Sequence, residues 1–432
     1  MNNTIIPKGT TDYYGSNARL RDYILKQIEE TYQSYGFEAL YTPIIEHADV
    51  FKGHHGEGEK LLFNLNDKNG ERYVLKYDST VPLARVVSMY DDIKLPYKRY
   101  QLQQSFRDDN IDKGHYREFI QCDGDIVGTD SLTADAEFID ISYNVLQKLG
   151  FRDYTIRLNH RQLIKAIAEM NNISDKEGLL SIQRAIDVSD KINKGSIDDI
   201  RAELSKTDIN EKIANTIVEL MDELSKTKNV KGSIDLLGDY FGKDNENAVK
   251  AVSDLREIIS YANPDALKKS KIDFTLARGA DYYTGFILEA VINKLNLGAV
   301  LGGGRFDDLV SAFSDKSVPA VGMAFGLERL IVAMKDLELN KRYENCLESV
   351  VIVYDTKSNS SAAYKIANMF RGRGGCVSLI FAEDVPVESL RAYCEYRGAT
   401  TVYVPDGESV KAYSLDKINQ IRLDGPSRTR CQ

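Results

Sequence analysis

Three arginines lie in strand-like segments that also concentrate carboxylates and aromatic residues. They are Arg107 in SFRDDNIDKGHYREFIQCDGDIVG, Arg278 in RGADYYTG and Arg329 in FGLERL. An arginine on the inward face of a strand is unfavourable unless it meets an anion, because removing its charge from water costs free energy. The three are therefore candidates for contacts with phosphate or carboxylate groups. The alternative for each is a structural ion pair with a nearby Asp or Glu.

The segment RGADYYTG holds an arginine, a carboxylate, two tyrosines and two glycines within eight residues. If it enters a strand, Tyr282 and Tyr283 point to opposite faces, so one meets a core and the other a cleft. Gly279 and Gly285 supply backbone freedom where a side chain does not fit. The segment therefore predicts a cleft that brings a cation and a phenol together.

The composition favours a globular protein of two or three domains, since 432 residues exceed what one core usually supports. No apolar run approaches the roughly 20 residues that span a bilayer, and the first residues lack a secretory signal. Five scattered cysteines without a CxxC pair favour reduced thiols. These features predict a cytoplasmic protein that does not contact a membrane.

Charge and histidine content limit the possible ligands. The net charge of -9 argues against nucleic-acid binding through bulk electrostatics, without excluding a local basic surface. No two of the five histidines have the i, i+4 spacing of a helical zinc site. We therefore expect no metal site formed by the protein alone.

The elements that must position these residues change character along the chain. A helix is predicted over residues 18 to 35, ended by Gly36, followed by a strand FEALYTPIIE that contains Pro43. KLLFNLNDKNGERYVLKY predicts a hairpin with Asn69-Gly70 at its tip. PYKRYQLQQSFRDDN and YREFIQCDGDIVG are two further alternating runs. Antiparallel sheet is the simplest interpretation.

Helices interrupt this sheet, and a second domain follows it. The stretches 133 to 149 and 161 to 267 predict helices, the latter an insertion between two parts of one sheet. Strands resume at IDFTLARGADYYTGFILEAVI, pass through LGGGRFDDL, and end on the helix-like VGMAFGLERLIVAMKDL. After a polar linker near 340 to 345, alternating strands and helices predict a small parallel α/β domain.

Several motifs, taken in order, carry a family resemblance. GHYREFIQCDGDIVG, ARGADYYTG, LGGGRFDDL and VGMAFGLERL resemble the motifs of histidyl-tRNA synthetases, which are class II aminoacyl-tRNA synthetases, and LKYDSTVPLAR resembles another of their segments. The resemblance implies an α+β fold with an antiparallel class II core at 1–335, a helical insertion at about 161–267, and an anticodon-binding-like α/β domain at 346–425. It also implies a homodimer formed through about residues 18 to 46.

The resemblance implies a histidine–tRNA ligase that uses ATP and Mg2+ and takes histidine and tRNA as substrates. Arg107 would contact the α-phosphate, Arg329 the far phosphates, and Arg278 both the α-phosphate and the histidine carboxylate. Asp125 and Tyr283 would bind the two imidazole nitrogens, which need one acceptor and one donor. The remaining implied positions are Asp78, Thr80, Gln121 and Tyr282 for histidine and Glu118 for ATP.

Some positions depart from the family pattern and leave alternatives open. Lys76 and His115 stand where the family usually has arginine, and Phe306 where it has tyrosine. The loop DDNIDKG is acidic, and VPVESLRAYCEYRG in the C-terminal domain has few cations. One alternative is a non-catalytic relative of the ATP-phosphoribosyltransferase regulatory subunit. Another is a paralogue that adenylates histidine for an acceptor other than tRNA.

Overall fold

A computed structural model of the protein describes residues 5–51, 56–192, 197–204, 206, 209–276, 283–310, 313, 318–340, 349–354, 357–382, 384–385, 387–406 and 409–421. The chain divides into two compact units. The larger comprises Met1–Thr11 and Ile24–Ala333, and the smaller comprises Asp12–Tyr23 and Met334–Gln432. Among the described residues, no helix has both the length and the apolar character needed to cross a membrane.

The larger unit contains eleven strands within its described part. They are β1 Glu38–Ala39, β2 Ile45–His47, β3 Asn64–Asn66, β4 Arg72–Leu75, β5 Tyr97–Phe106, β6 Glu118–Val127, β7 Tyr154–His160, β8 Ser270–Ile272, β9 Phe286–Ile292, β10 Ala299–Arg305 and β11 Ala320–Gly326. Eight of them form one sheet in the order β1-β5-β6-β11-β10-β9-β7-β8. The inner neighbours pair antiparallel, as predicted, whereas β1 and β8 join the edges in parallel.

Helices precede, interrupt and follow this sheet. They are α1 Gly15–Ser34, α2 Ala48–Phe51, α3 Thr80–Met89, α4 Thr133–Lys148, α5 Gln162–Met170, α6 Lys176–Ile192, α7 Ile197–Leu204, α8 Glu211–Ser225, α9 Val230–Phe241, α10 Glu246–Tyr261, α11 Pro264–Leu267 and α12 Leu327–Asp336, with a 3-10 helix at Gly56–Leu61. The helices α5 to α11 confirm the helical character predicted between residues 161 and 267. Asn210, Asn229 and Asn245 begin α8, α9 and α10, each accepting a backbone N–H on its side chain.

One face of the large sheet is packed by helices. Tyr32 of α1 is fully buried and donates its hydroxyl hydrogen to the Cys122 carbonyl at 3.2 Å. A Cβ on Gly124 would lie 2.2 Å from the Tyr32 ring, so glycine is required for this close approach. On the same face, Asp135 of α4 pairs with Arg305 of β10. A functional site on this sheet is therefore expected on its opposite face.

Two predicted elements differ from the structure. VGMAFGLERLIVAMKDL is not helical throughout, because its first part is strand β11 and only Leu327–Asp336 is helix. Val321, Met323 and Phe325 alternate with small residues there, which is the two-residue period of a strand. FEALYTPIIE is not one strand either. It divides around Pro43, which lacks an N–H donor, into β1, which pairs with β5, and β2, which pairs with β4.

The predicted hairpin is confirmed as β3 and β4, with Gly70 at a positive φ of 85° in its turn. In the segment IDFTLARGADYYTGFILEAVI, β8 and β9 are strands, and residues 277–282 lie outside the described ones. Most of the polar linker predicted near 340 to 345 also lies outside them.

The smaller unit is an α/β layer, as its alternating pattern predicts. Its elements are β12 Ser349–Tyr354, α13 Lys357–Arg371, β13 Cys376–Phe381, α14 Val387–Arg397, β14 Ala399–Asp406, β15 Ser409–Ser414 and a 3-10 helix at Leu415–Gln420. The strand order is β13-β12-β14-β15, with the first three parallel. Strand β15 pairs antiparallel with β14 and was not predicted from the sequence.

Candidate active site

The open face of the large sheet carries a row of polar side chains. Alternate residues of a strand face the same side, so Gln121, Asp123 and Asp125 of β6 share one face. Their partners on β5 are Gln103, Gln101 and Arg99, respectively. Arg99 and both aspartates are buried. Two adjacent strands therefore bury a charged and amide-rich surface where a hydrophobic core would ordinarily lie.

Beside this row the sheet forms a floor of small residues. On β11, Gly322, Ala324 and Gly326 pair with Asp125, Asp123 and Gln121. On β10, Gly304 and Gly302 pair with Gly322 and Ala324. Four glycines and an alanine on two neighbouring strands carry no side chain larger than a methyl group, so neighbouring side chains and a ligand can approach the backbone of the sheet closely.

Asp125 and Tyr283 lean over adjacent positions of this floor. A Cβ on Gly322 would lie 1.9 Å from Asp125 Oδ1, so the carboxylate occupies the space above that glycine. A Cβ on Gly304 would lie 3.0 Å from Tyr283 Cδ1. Since Gly304 and Gly322 are directly paired, the carboxylate and the phenol ring flank one small region of the sheet.

Three buried acceptors in the polar row have no hydrogen-bond partner among the described residues. They are Gln121 Oε1, Asp123 Oδ2 and Asp125 Oδ2, which belong to every second residue of β6. Buried polar atoms in proteins are nearly always hydrogen-bonded. Arg99 Nε, on the same face of the sheet, is a buried donor that likewise has no partner among the described residues. The three acceptors suit a ligand that brings several N–H donors.

Charge in this region is close to balanced but negative. Arg99 Nη2 lies 2.6 Å from Asp125 Oδ2. Lys76, fully buried, donates to Gln103 Oε1 at 3.0 Å and to Thr42 Oγ1 at 3.4 Å. Lys76, which stands where the family usually has arginine, is thus a buried cation of the same surface.

Burial shifts the titration of these groups. Burial raises the pKa of Asp123 to about 7 and that of Asp125 to about 6, with the nearby Arg99 opposing both shifts. Burial lowers the pKa of Lys76 to about 8, opposed chiefly by Asp123. If all of these groups were ionised together, the three carboxylates of Asp78, Asp123 and Asp125 would face only two cations, Lys76 and Arg99.

The raised pKa of Asp123 makes the free energy of unfolding of the ligand-free protein fall as pH rises from about 4 to 7. In this range the folded protein retains a proton that the unfolded chain releases. We expect Asp123→Asn, which keeps the shape and removes the charge, to flatten this dependence. At pH 8 it should raise the unfolding free energy by about 1 kcal/mol or more, roughly 2–4 °C in Tm. Thermal unfolding from pH 5 to 8 measures both effects.

The control for that comparison is Asp235→Asn, an exposed carboxylate paired with Arg256 at 2.9 Å, for which little change is expected. Destabilisation of the Asp123→Asn variant at pH 8 would contradict the assignment of Asp123 as a costly buried charge.

The residues before α3 close one end of the polar row. Asp78 Oδ1 accepts the Val81 N–H at 3.1 Å, and Asp78 and Thr80 are both buried. The Ser79 carbonyl accepts a hydrogen bond from Arg99 Nη2 at 3.0 Å. The structure therefore brings Asp78 and Thr80 to the same surface as Asp125 and Gln121.

Arg107 is held by aromatic rings and not by a carboxylate. Its guanidinium carbon lies 4.3 Å from the Tyr77 ring centroid and 5.0 Å from that of Phe119. Its Nε donates to the Tyr77 carbonyl at 3.3 Å. Within the described part of the chain it forms no ion pair, so the alternative of a structural ion pair is not observed for this arginine.

Arg329 lies near the loop that joins β5 to β6. Its Nη1 donates to the Ala299 carbonyl at 2.7 Å, and a Cβ on Gly114 would lie 3.0 Å from its Cγ. Burial lowers the pKa of His115, and Arg329 and Arg107 lower it further against an opposing effect of Asp109. His115 is therefore neutral at pH 7 and lies within electrostatic reach of both arginines.

The other predicted positions are less informative. Glu118 begins β6 with an exposed side chain, and its N–H donates to the Gly9 carbonyl at 3.3 Å. Phe306 packs in a hydrophobic cluster of the larger unit, so the position at which the family usually has tyrosine is a core position in this protein. Arg278 and Tyr282 lie outside the described residues, and their roles stay predictions.

A cavity of about 600 Å³ adjoins Tyr283. Its lining includes Thr284, Asp307 and Asp308, together with residues of α5 and α6 such as Gln162 and Gln183. The cavity is therefore bounded by residues that precede β9 and follow β10 and by the helices α5 and α6.

Two buried residues of the site, Arg99 and Asp123, were not predicted from the sequence. The available signal was the alternation in KRYQLQQ and QCDGD, which places charged and amide residues on one face of two strands.

Comparison with known proteins shows which family this chain resembles. A sequence model of the histidyl-tRNA synthetase family matches residues 9–330. The chain belongs to the histidyl-tRNA synthetase family. A histidine–tRNA ligase from Korarchaeum cryptofilum is 34% identical, over 97% of this chain and 96% of its own length. One from Helicobacter pylori is 32% identical, over 96% of this chain and 94% of its own length.

Solved structures show the same fold as this family member. Histidyl-tRNA synthetase from Nostoc sp. PCC 7120 matches with a TM-score of 0.80 at 25% identity, covering 97% of this chain and 99% of the other. A Bacillus halodurans protein described as an ATP phosphoribosyltransferase regulatory subunit/histidyl-tRNA synthetase matches with a TM-score of 0.72 at 21% identity, covering 90% and 96%. The class II synthetase fold predicted from the sequence is therefore confirmed.

Proposed function

We propose that this protein is a histidine–tRNA ligase, which uses ATP to activate histidine as histidyl-adenylate and transfers it to tRNA. Membership of the family and relatives of that name over nearly the whole chain support this function. The observation that carries it at the site is the row of three unsatisfied acceptors above a floor of glycines. A histidine molecule supplies the matching donors in its ammonium group and its ring N–H.

Histidine would lie on the floor with its imidazole between Asp125 and Tyr283. Asp125 accepts from one ring nitrogen, and the Tyr283 hydroxyl donates to the other. Asp78, Thr80 and Gln121 position the amino and carboxylate groups, and Tyr282 belongs to the same subsite. The ammonium group balances the excess negative charge of the polar row, which favours an amino acid over a neutral ring compound.

ATP would lie toward Arg107 and Arg329. Arg107 contacts the α-phosphate, Arg329 the far phosphates, and Arg278 both the α-phosphate and the histidine carboxylate, with Glu118 in the ATP site. The histidine carboxylate attacks the α-phosphorus in line and pyrophosphate leaves. Fixed guanidinium groups stabilise the charge that develops on the phosphoryl oxygens, so catalysis is mainly positioning and electrostatics.

Mg2+ would enter bound to the phosphates of ATP, which is its usual manner of binding in nucleotide enzymes. Among the described residues no group of three or more His, Cys, Asp or Glu side chains is arranged to hold a metal ion. The residues present therefore fit a cation held chiefly by its nucleotide.

The wider organisation is also proposed. Residues 1–335 form the catalytic core and 346–425 an anticodon-binding-like domain. The chain forms a homodimer through residues 18 to 46, which is supported by the exposure of Tyr41 (71%) and Ile45 (54%). A cytoplasmic location agrees with tRNA as substrate.

Two other functions are separated from this one by experiment. Histidine-dependent exchange of labelled pyrophosphate into ATP, measured with Mg2+ and without tRNA, establishes adenylation. No exchange with any amino acid would favour a regulatory protein. Exchange without charging of added tRNA would favour a different acceptor, for which the acidic residues Asp108, Asp109 and Asp112 near the site are the supporting observation.

Asp125→Ala should raise the histidine KM in this exchange by roughly 100-fold and leave the ATP KM nearly unchanged, because it removes the ring acceptor. The matched control is Asp222→Ala, an exposed carboxylate paired with Lys226 at 2.8 Å, for which wild-type kinetics are expected. A wild-type histidine KM for the Asp125→Ala variant would exclude Asp125 from the imidazole subsite.

A further inference from the structure

We propose that Arg99 is a positioning residue for histidine recognition: its buried guanidinium keeps the Asp125 carboxylate ionised and in place above Gly322, so that Asp125 accepts the ring N–H of histidine. This inference rests on the proposed function and assigns a role to a residue that has none in the scheme above.

Arg99 is fixed by contacts to two other segments and to a neighbour on its own strand. It is fully buried, and its Nη2 lies 2.6 Å from Asp125 Oδ2 on β6. The same Nη2 donates to the Ser79 carbonyl at 3.0 Å, and Nη1 donates to Gln101 Oε1 at 3.1 Å. The cation is therefore held before any ligand arrives, as electrostatic preorganisation requires.

The contact between Arg99 and Asp125 supplies charge without using the hydrogen-bonding capacity of the carboxylate. Although the two atoms are 2.6 Å apart, the N–H direction is not aligned for a hydrogen bond, and Asp125 Oδ2 has no donor among the described residues. Asp125 thus remains a buried anion that can still accept. A purely structural ion pair would be expected to satisfy both partners.

The same sheet offers such a structural pair for comparison. Arg305 of β10 and Asp135 of α4 are also buried, but on the helix-packed face. Arg305 Nε donates to Asp135 Oδ1 at 3.1 Å, and its Nη2 donates to Oδ2. Both carboxylate oxygens are therefore occupied. The two buried arginine–aspartate pairs differ in the one property that matters for a ligand, which is whether the carboxylate can still accept.

Ionisation of Asp125 depends on Arg99 because the surroundings oppose it. Burial and the nearby carboxylate of Asp78 raise the pKa of Asp125, and Arg99 lowers it. Among the described residues, Asp123 on the same strand and Lys76 after β4 are further charged groups of this surface, and Glu46 of β2 acts on Lys76. Without Arg99 the pKa of the Asp125 carboxyl would rise further, and a protonated carboxyl is a weaker acceptor for the ring N–H than a carboxylate.

The test compares Arg99→Met, Arg99→Lys and Arg305→Met in histidine-dependent pyrophosphate exchange between pH 6 and 9. Arg99→Met should raise the histidine KM about tenfold or more at pH 7, because each unit of pKa above the assay pH costs about tenfold in ionised carboxylate. The ratio of the histidine KM of Arg99→Met to that of the wild type should shrink as pH rises, and the ATP KM should stay near the wild-type value. Arg99→Lys should have a histidine KM between those of Arg99→Met and the wild type. Arg305→Met should lower Tm while keeping the wild-type pH profile of the histidine KM.

Two outcomes would overturn the role of Arg99. One is a wild-type histidine KM and pH profile for Arg99→Met. The other is an equal loss at every pH in the KM of both substrates, which a structural role would give. If Arg99→Met does not fold, Arg99→Lys decides: a larger effect on the KM of ATP than on that of histidine contradicts the proposal. Absence of histidine-dependent exchange in the wild-type protein would instead refute the proposed function.

Discussion

Gly322→Ala should abolish histidine recognition at ordinary substrate concentrations. An alanine Cβ at this position would lie 1.9 Å from Asp125 Oδ1, 2.6 Å from its Cγ and 2.9 Å from the Gly124 carbonyl. Protein Cβ atoms essentially never make such contacts, so Asp125 must leave its place above the floor or the two strands must separate. We expect the histidine KM to rise by roughly 100-fold or more, since displacement by about 1 Å can cost that much.

The clash should also cost stability, by about 1–3 kcal/mol, as overpacking of a tight site does. Thermal unfolding and pyrophosphate exchange on the same samples separate the two effects. Gly326→Ala is the matched control for folding, because it lies on the same strand and face and its Cβ would be 3.7 Å from the nearest atom. It should keep the wild-type Tm.

The double variant Gly322→Ala with Asp125→Ala distinguishes a side-chain clash from damage to the strand. Removing the carboxylate should restore most of the lost stability without restoring histidine binding. A Gly322→Ala protein that binds histidine like the wild type would show that Asp125 does not need the space above this glycine.

The site was predictable where a local pattern determines it. Gln121 and Asp125 could be assigned from the motif around them, and the two-residue period of β6 puts them on one face. Asp123 has the same period and could have been included with them. The family resemblance assigns roles to its neighbours only, so it gives Asp123 no role.

Arg99 was predictable only in part, since its environment depends on pairing between strands. Lys98 and Arg99 are adjacent and look alike as surface cations, yet they point to opposite faces of β5. Lys98 forms a half-exposed pair with Glu137 at 2.7 Å, whereas Arg99 is fully buried against Asp125. The alternation in KRYQLQQ groups Arg99 with Gln101 and Gln103 on one face, but the register that places Arg99 opposite Asp125 is set by pairing with β6 and not by the local sequence.

Strand β11 shows the converse difficulty. Its sequence continues without interruption into α12, and the apolar residues of the combined segment satisfy a helical period as well as a strand period. Pairing with β6 and β10 on both sides decides for the strand, because a helix in this place would leave the facing backbone groups of both neighbouring strands unpaired. The glycines of β11, which form the floor, are consequently visible as site residues only once the sheet is known.

Arg107→Ala should lower the rate of histidine adenylation by about 100- to 1000-fold, the usual effect of removing one preorganised group that stabilises developing charge. The guanidinium packs against the rings of both Tyr77 and Phe119, so its position is set before ATP binds. The loss should fall on kcat, with the histidine KM nearly unchanged, because the α-phosphate gains charge only in the transition state. Single-turnover adenylate formation measures this step directly.

Two further variants decide whether charge or packing is responsible. Arg107→Lys retains the charge but not the planar group that packs against two rings, so it should recover only part of the rate. Arg371→Ala removes an arginine stacked 5.9 Å from the Tyr364 ring centroid in the smaller unit, and adenylation should be unaffected. Loss of the stacking alone would cost about 0.5–1 kcal/mol of stability. An Arg107→Ala protein that is less stable by that amount but keeps its kcat would make Arg107 a structural residue, and the phosphate contact would then have to come from elsewhere in the site.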